Sequence, residues 1–218
     1  MTTPPYLLVR SRRKTLALTF DREGRLVARA PMKLSEREIR AFIQKKAGWI
    51  ARAQEQIRAA QPVKFTLSQG DNILLFGISY EIRRAQADAI TAREHTLLIP
   101  ADWDLNDFAD WMKEQLKKTL PRRVEFYADQ MGVRAASWKL SGARRRWGSC
   151  GPGGTLNFAW RLAMCPPEVI DYVVVHELAH LTHRDHSAAF WQRVADFMPE
   201  YQRHRDWLKQ HHGLMELL

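Results

Sequence analysis

Val173-Val174-Val175-His176-Glu177-Leu178-Ala179-His180 decides how the rest of the chain is read. The stretch carries the pattern H-E-x-x-H behind an apolar run, and it predicts a helix. Residues four apart on a helix share one face, about 5–6 Å from each other. His176 and His180 therefore present two imidazoles to one metal ion. Glu177 follows the first histidine and lies to one side of the pair, where its carboxylate reaches a water at the metal without being a ligand. These residue types at this spacing point to a zinc hydrolase with Glu177 as general base. The plain alternative is a core helix that carries the pattern by chance. The apolar residues Val169, Ile170 and 172–175 argue against it. Unpaired polar groups cost about 1–3 kcal/mol each to bury, and a metal supplies the missing partner.

Zinc wants a third protein ligand, and two candidates follow, His183 and His186. If the helix continued, His183 would lie about 10 Å along its axis from His176, too far to share one ion comfortably. His186 comes after Arg184-Asp185, a turn that lets the chain bend back beneath the metal. The spacing H-E-x-x-H-x-x-x-x-x-H is that of the metzincins, but His183 stands where they have glycine, so the turn need not have their shape. The reading favours His186, with His183 as the alternative.

The 218 residues suffice for one large domain or two small ones, and 45% hydrophobic content supports a core. A net charge of +10 suits an anionic substrate or nucleic acid as much as it suits a solvated basic surface. Met1-Thr2-Thr3-Pro4-Pro5 does not read as a signal peptide, and no stretch approaches the ~20 apolar residues of a membrane span. The two cysteines, Cys150 and Cys165, suggest free thiols in a reducing compartment. A cytoplasmic protein is expected, with no membrane partner.

Residues 6–10, 15–20 and 26–30 read as strands, with a hairpin turn at Glu23-Gly24. Ser35 and Glu38 form a capping box for one long helix, striped by Ile39, Phe42, Ile43, Ala47, Ile50 and Ile57 and closed by Pro62. Short strands are expected at 73–76, 79–83 and 96–99. Asp104 caps a second long helix, which Pro121 should kink or split and Gly132 should end. Ser137–Leu162 returns to β structure, with a turn at Gly151-Pro152-Gly153-Gly154. Pro166-Pro167-Glu168 opens the His176 helix, Ser187 caps the next, and Pro199 starts the last. The tail 214–218 is expected to be loose. The class is α+β: a β-rich N-terminal module with one long helix over residues 1–102, then a compact, mainly helical domain with a short β-sheet over 103–218.

Four segments together resemble the YgjP-like metallopeptidase family, which is related to the WLM and SprT-like zinc peptidases. They are Arg146-Trp147-Gly148-Ser149-Cys150, Leu156-Asn157-Phe158, the segment 174–180, and Asp185-His186-Ser187-Ala188-Ala189-Phe190-Trp191. The resemblance covers nearly the whole chain, with its most specific motifs in the C-terminal half. It implies a zincin-like fold for that half and one zinc ion per chain on His176, His180 and His186, with Glu177 as acid/base. Asp185 replaces an asparagine common in the family. In zincins an edge strand above the metal pairs with an extended peptide. The 146–162 hairpin is the candidate for it, and Arg146, Trp147, Asn157 and Arg161 are the candidate substrate contacts. A peptide or protein substrate is expected. The alternatives keep the metal. One is hydrolysis of phosphorylated small molecules or nucleoside triphosphates, suggested by the basic run Arg144–Arg146. The other is SprT-like cleavage of DNA-bound proteins, supported by net charge alone.

Overall fold

A computed structural model describes residues 4–21, 24–59 and 65–217, with the side chains of 56–59 left aside. Glu23 of the expected turn, the Ile57 side chain, Pro62 and Leu218 lie outside the described residues. The chain divides into two compact units, Met1–Val63 and Lys64–Leu218.

The first unit begins with β1 (Tyr6–Ser11), β2 (Ala17–Phe20) and β3 (Leu26–Pro31), ordered β1-β3-β2. β1 runs parallel to β3, and β2 antiparallel. Alternation turns Tyr6 and Leu8 toward the core and leaves Leu7 and Val9 exposed. Ser35 accepts from Glu38 N–H while the Glu38 carboxylate accepts from Ser35 N–H, which starts α1 (Glu36–Lys45) as the capping box requires. The expected single helix is broken once: Lys46 leaves helical geometry and α2 (Ala47–Ala59) follows. Gly48, the weakest helix former nearby, sits just past the break. Ile39, Ile43 and Ile50 still share the core with Leu26, Ala28 and Ala30.

The second unit opens with β4 (Asn72–Leu75), β5 (Ile78–Ala85), β6 (Thr91–Arg93) and β7 (Thr96–Pro100), ordered β4-β5-β7-β6. Alternation gathers Ile73, Leu75, Ile82, Leu97 and Ile99 into one core with Phe108, Met112 and Leu116 of α3 (Leu105–Met131). The domain boundary therefore corrects the sequence reading: cutting at 102/103 would strip this sheet from the helix it covers, so the division falls at 63/64. Asp104 caps α3 together with Asp107, and Gly132 ends it at φ +61. Pro121 does not split α3, which continues through it.

A second sheet follows, from β8 (Ser137–Ser141), β9 (Gly148–Cys150) and β10 (Thr155–Ala159), in the order β8-β10-β9. β10 is parallel to β8 and antiparallel to β9, so β9 is an edge. The expected strand through Leu162 ends at Ala159, and residues 160–164 form a fully buried 3-10 turn instead. That turn holds the start of α4 (Pro167–Ala179). Phe76 N–H donates to Ala163 O at 2.8 Å and Gly77 N–H to Met164 O at 3.2 Å. Gly77, at φ +81, lies so close to Pro166 that a Cβ would come within 2.8 Å of its ring. On the other side, Arg123 of α3 ties to Asp171 of α4 (2.5 Å). α4 is thus packed from both sides, and nearly every position from Val169 to Val175 is buried. Each Val, Ile or Leu side chain so buried contributes about 1.5–3 kcal/mol.

α5 (Ala188–Phe197), capped by Ser187, and α6 (Tyr201–Gln210) complete the unit. The expected loose tail is instead a 3-10 turn, His212–Glu216, that buries Met215 completely. Among the described residues no helix is long and apolar enough to cross a membrane.

Candidate metal centre

α4 presents His176 and Glu177, and His180 stands at its C-terminal cap. The chain turns at once: Thr182 and His183 N–H both donate to Ala179 O, at 3.1 and 3.0 Å. The turn returns His186 to the helix just ahead of Ser187. His176 Nε2 and His186 Nε2 lie 3.1 Å apart. Ligand atoms of His176, His180 and His186 all fall within 4.8 Å of one another. Among the described residues no other group of His, Cys, Asp or Glu does this.

The three imidazoles rest on one floor. Phe190, fully buried on α5, has its ring centroid 4.9 Å from His176, 4.5 Å from His180 and 4.8 Å from His186. Trp191 stacks on His186 at 5.7 Å. His183 enters differently from the reading that made it a ligand candidate. Its carbonyl lies 3.0 Å from His180 Nδ1 and takes that proton, which leaves His180 Nε2 free as a lone pair. Burial drives His176 down to about 3 and also lowers His180, so both are neutral at neutral pH. Neutral imidazoles are the ligand form.

This donor set fits a zinc ion. Zn–N bonds of about 2.0–2.1 Å in tetrahedral geometry imply nitrogen–nitrogen separations of ~3.3 Å. The 3.1 Å between His176 and His186 is close to that. Two buried polar atoms here, His176 Nδ1 and Glu177 Oε2, have no hydrogen-bond partner among the described residues.

A cleft of about 450 Å³ opens over the histidines, between β9 and the helices. Glu177, only 4% exposed, lines it. Burial raises its carboxyl to about 8, and Arg146 at the cleft wall pulls the other way. β9 presses directly on this carboxylate. A Cβ at Gly148 would lie 2.5 Å from Glu177 Oε1 and 2.7 Å from Cγ, so any side chain there must push the glutamate aside. Gly148→Ala should therefore keep the metal but displace Glu177. A misplacement of ~1 Å costs about 10²-fold in rate. Turnover measured beside metal content checks this; a fully active alanine variant would contradict the contact.

The other sequence-stretch candidates separate. Arg146 and Trp147 line the cleft. Asn157 does not; its Nδ2 donates to Ser149 O and Oγ at 3.2 and 3.3 Å, across the β9–β10 pair. Arg161 does not either; it is 2% exposed in the 3-10 turn and lies 4.6 Å over the Trp160 ring. Asn157 does lie on the regular strand β10, but its amide is taken up by β9; Arg161 was placed at the substrate by assuming a strand to Leu162, and the chain leaves that strand at Ala159. The cleft also takes residues the sequence reading left in the core or out of account. Tyr172 borders it four positions before His176, on the same helical face. Burial pushes its phenol up to about 12. Arg184 borders it too, with its guanidinium holding Gly151 O and Pro152 O at 3.0 and 2.9 Å.

The family model described as YgjP-like, metallopeptidase domain matches residues 14–211. No curated protein matches the chain. Part of the chain is similar to two crystal structures. One is the metallopeptidase zymogen of Pyrococcus abyssi abylysin, at 20% identity and TM-score 0.40, covering 43% of this chain and 94% of that one. The other is the metallopeptidase zymogen of Methanocaldococcus jannaschii jannalysin, at 14% identity and TM-score 0.38, covering 42% and 94%.

Proposed function

The chain belongs to the YgjP-like metallopeptidase family, and from that premise we propose that it is a zinc-dependent peptidase with Glu177 as its general acid/base. The observation that carries this is the convergence of His176, His180 and His186 within 4.8 Å, in the cleft that holds the Glu177 carboxylate. One zinc ion on these histidines supplies Lewis acidity toward a carbonyl oxygen and toward water. Glu177 takes the proton of the attacking water and later delivers it to the leaving amine nitrogen. Phe190 and the His183 carbonyl keep the imidazole rings in place while this happens.

β9 provides the wall for an extended substrate. Gly151 N–H donates to Thr155 O and Ala159 N–H to Trp147 O, so the ladder bonds toward β10 fall on odd-numbered residues. The N–H and C=O of Gly148 and Cys150 therefore face away from β10. A peptide added to that edge pairs with them by strand augmentation, which places its backbone beside Glu177.

A second reading, hydrolysis of a nucleoside triphosphate, draws on Arg146 and Arg184 in the cleft lining. Arg184 is committed to the Gly151-Pro152 turn, which leaves Arg146 as the arginine of the lining not so engaged. A peptide library and a nucleotide panel, run with zinc-loaded protein, separate the readings. Peptide cleavage that stops on chelation and returns with zinc is expected. Phosphate release from nucleotides without peptide cleavage would replace this reading by the second.

A further inference from the structure

Attack of water on a peptide carbonyl turns its oxygen into an oxyanion, and a fixed donor in the cleft stabilises it. Resting on the peptidase reading, the question is which donor of this chain does so. Other side chains near the cleft are less suited. Arg184 is committed to two carbonyls. Tyr201 is not in the lining and stacks on Trp191 at 5.3 Å. Arg146 is exposed, on a long rotatable stem.

Tyr172 differs from all of these. It is 4% exposed and borders the cleft; its hydroxyl makes no hydrogen bond to any described residue and is not among the buried polar atoms left without a partner, so that oxygen is open to solvent. Its ring is also held in place. It meets His176 edge-on at 5.8 Å on one side and lies 6.4 Å from the buried His204 ring on the other. A rigid, protonated donor beside a metal ligand needs little reorganisation when charge develops.

We propose that Tyr172 is a catalytic residue whose hydroxyl donates a hydrogen bond to the substrate carbonyl oxygen as that oxygen becomes an oxyanion. In the first step the water oxygen bonds the carbonyl carbon, the π pair moves to the carbonyl oxygen, and the water's proton goes to Glu177. In the second the C–N bond breaks, the oxygen's pair re-forms C=O, and the proton on Glu177 goes to the leaving nitrogen. Tyr172 keeps its own proton throughout.

Tyr172→Phe tests this, because it preserves the ring packing on His176 and removes only the hydroxyl. Zinc content, thermal midpoint, kcat and KM are compared with the zinc-loaded wild type on a cleaved peptide. Calorimetry then measures the affinity of an N-phosphoryl dipeptide, a tetrahedral anion, against that of a product dipeptide. The expected result is unchanged zinc and thermal midpoint, kcat lower by about 10²-fold with KM little changed. N-phosphoryl dipeptide binding should weaken while product binding holds. A phenylalanine variant with wild-type kcat and wild-type N-phosphoryl dipeptide affinity would overturn the proposal and leave Tyr172 a packing residue. A zinc-loaded wild type that cleaves no peptide would defeat the peptidase reading, and this proposal with it.

Discussion

Glu177→Gln should retain the metal and the fold while losing turnover by about two to four orders of magnitude, the range general acid/base catalysis supplies. The argument starts from burial. Glu177 is 4% exposed, and β9 leaves no room beside it for even a methyl group at Gly148. Burial holds its carboxyl near the neutral form in the metal-free chain, so glutamine matches both the shape and the charge it has there. Folding has little reason to change. What glutamine lacks is the capacity to take a proton from water and pass it to nitrogen. The three histidines remain, so metal content measured beside kcat separates loss of chemistry from loss of the site. A glutamine variant of wild-type activity would exclude Glu177 as the acid/base.

His186→Ala should weaken metal binding by more than about 10²-fold and abolish activity, because even partners that only orient a ligand cost 10–100-fold when removed. His183→Ala should bind metal as the wild type does. The contrast follows from what each histidine contributes. His186 brings Nε2 to 3.1 Å from His176 Nε2, whereas His183 contributes its backbone carbonyl to His180 Nδ1 at 3.0 Å. Alanine at 183 keeps that carbonyl. Competition titration with a chromophoric zinc chelator reads both variants. Equal losses in the two would mean that the turn 181–186, and not the His186 imidazole, is what the metal requires.

Much of the site and of the local structure was legible in the sequence, where the signal is local. The H-E-x-x-H spacing marks His176, Glu177 and His180, and Ser35, Asp104, Gly132 and Ser187 cap their helices as read. What was misread depends on contacts between distant segments. The boundary at 102/103 failed because alternation shows that β4 to β7 have an apolar face but not that α3 covers it. Arg161 was drawn to the substrate by extending a strand that the buried 3-10 turn at 160–164 cuts short, and Asn157 because alternation does not show that Ser149 of the neighbouring strand takes its amide. Met215 looked like a loose tail because its turn packs not only on the adjacent α6 but on the 160–164 turn far back in the chain. Phe190 under the three imidazoles had a signal, four residues after His186, but only the fold shows which way α5 turns it. Gly148 stands in the Arg146–Cys150 segment that carries the resemblance, but its need for glycine comes from Glu177, twenty-nine positions away, and only the fold shows it.

The central claim is that His176, His180 and His186 hold one divalent ion. X-ray absorption at the zinc edge of the zinc-loaded wild type, with elemental analysis of the same sample, tests it most directly. The account predicts one zinc per chain, with imidazole nitrogens at about 2.0–2.1 Å and no sulfur in the shell. A shell with sulfur at about 2.3 Å would move the site to the cysteines, and no bound metal after zinc is supplied would leave the three histidines an ordinary imidazole cluster lining the cleft of an α+β unit.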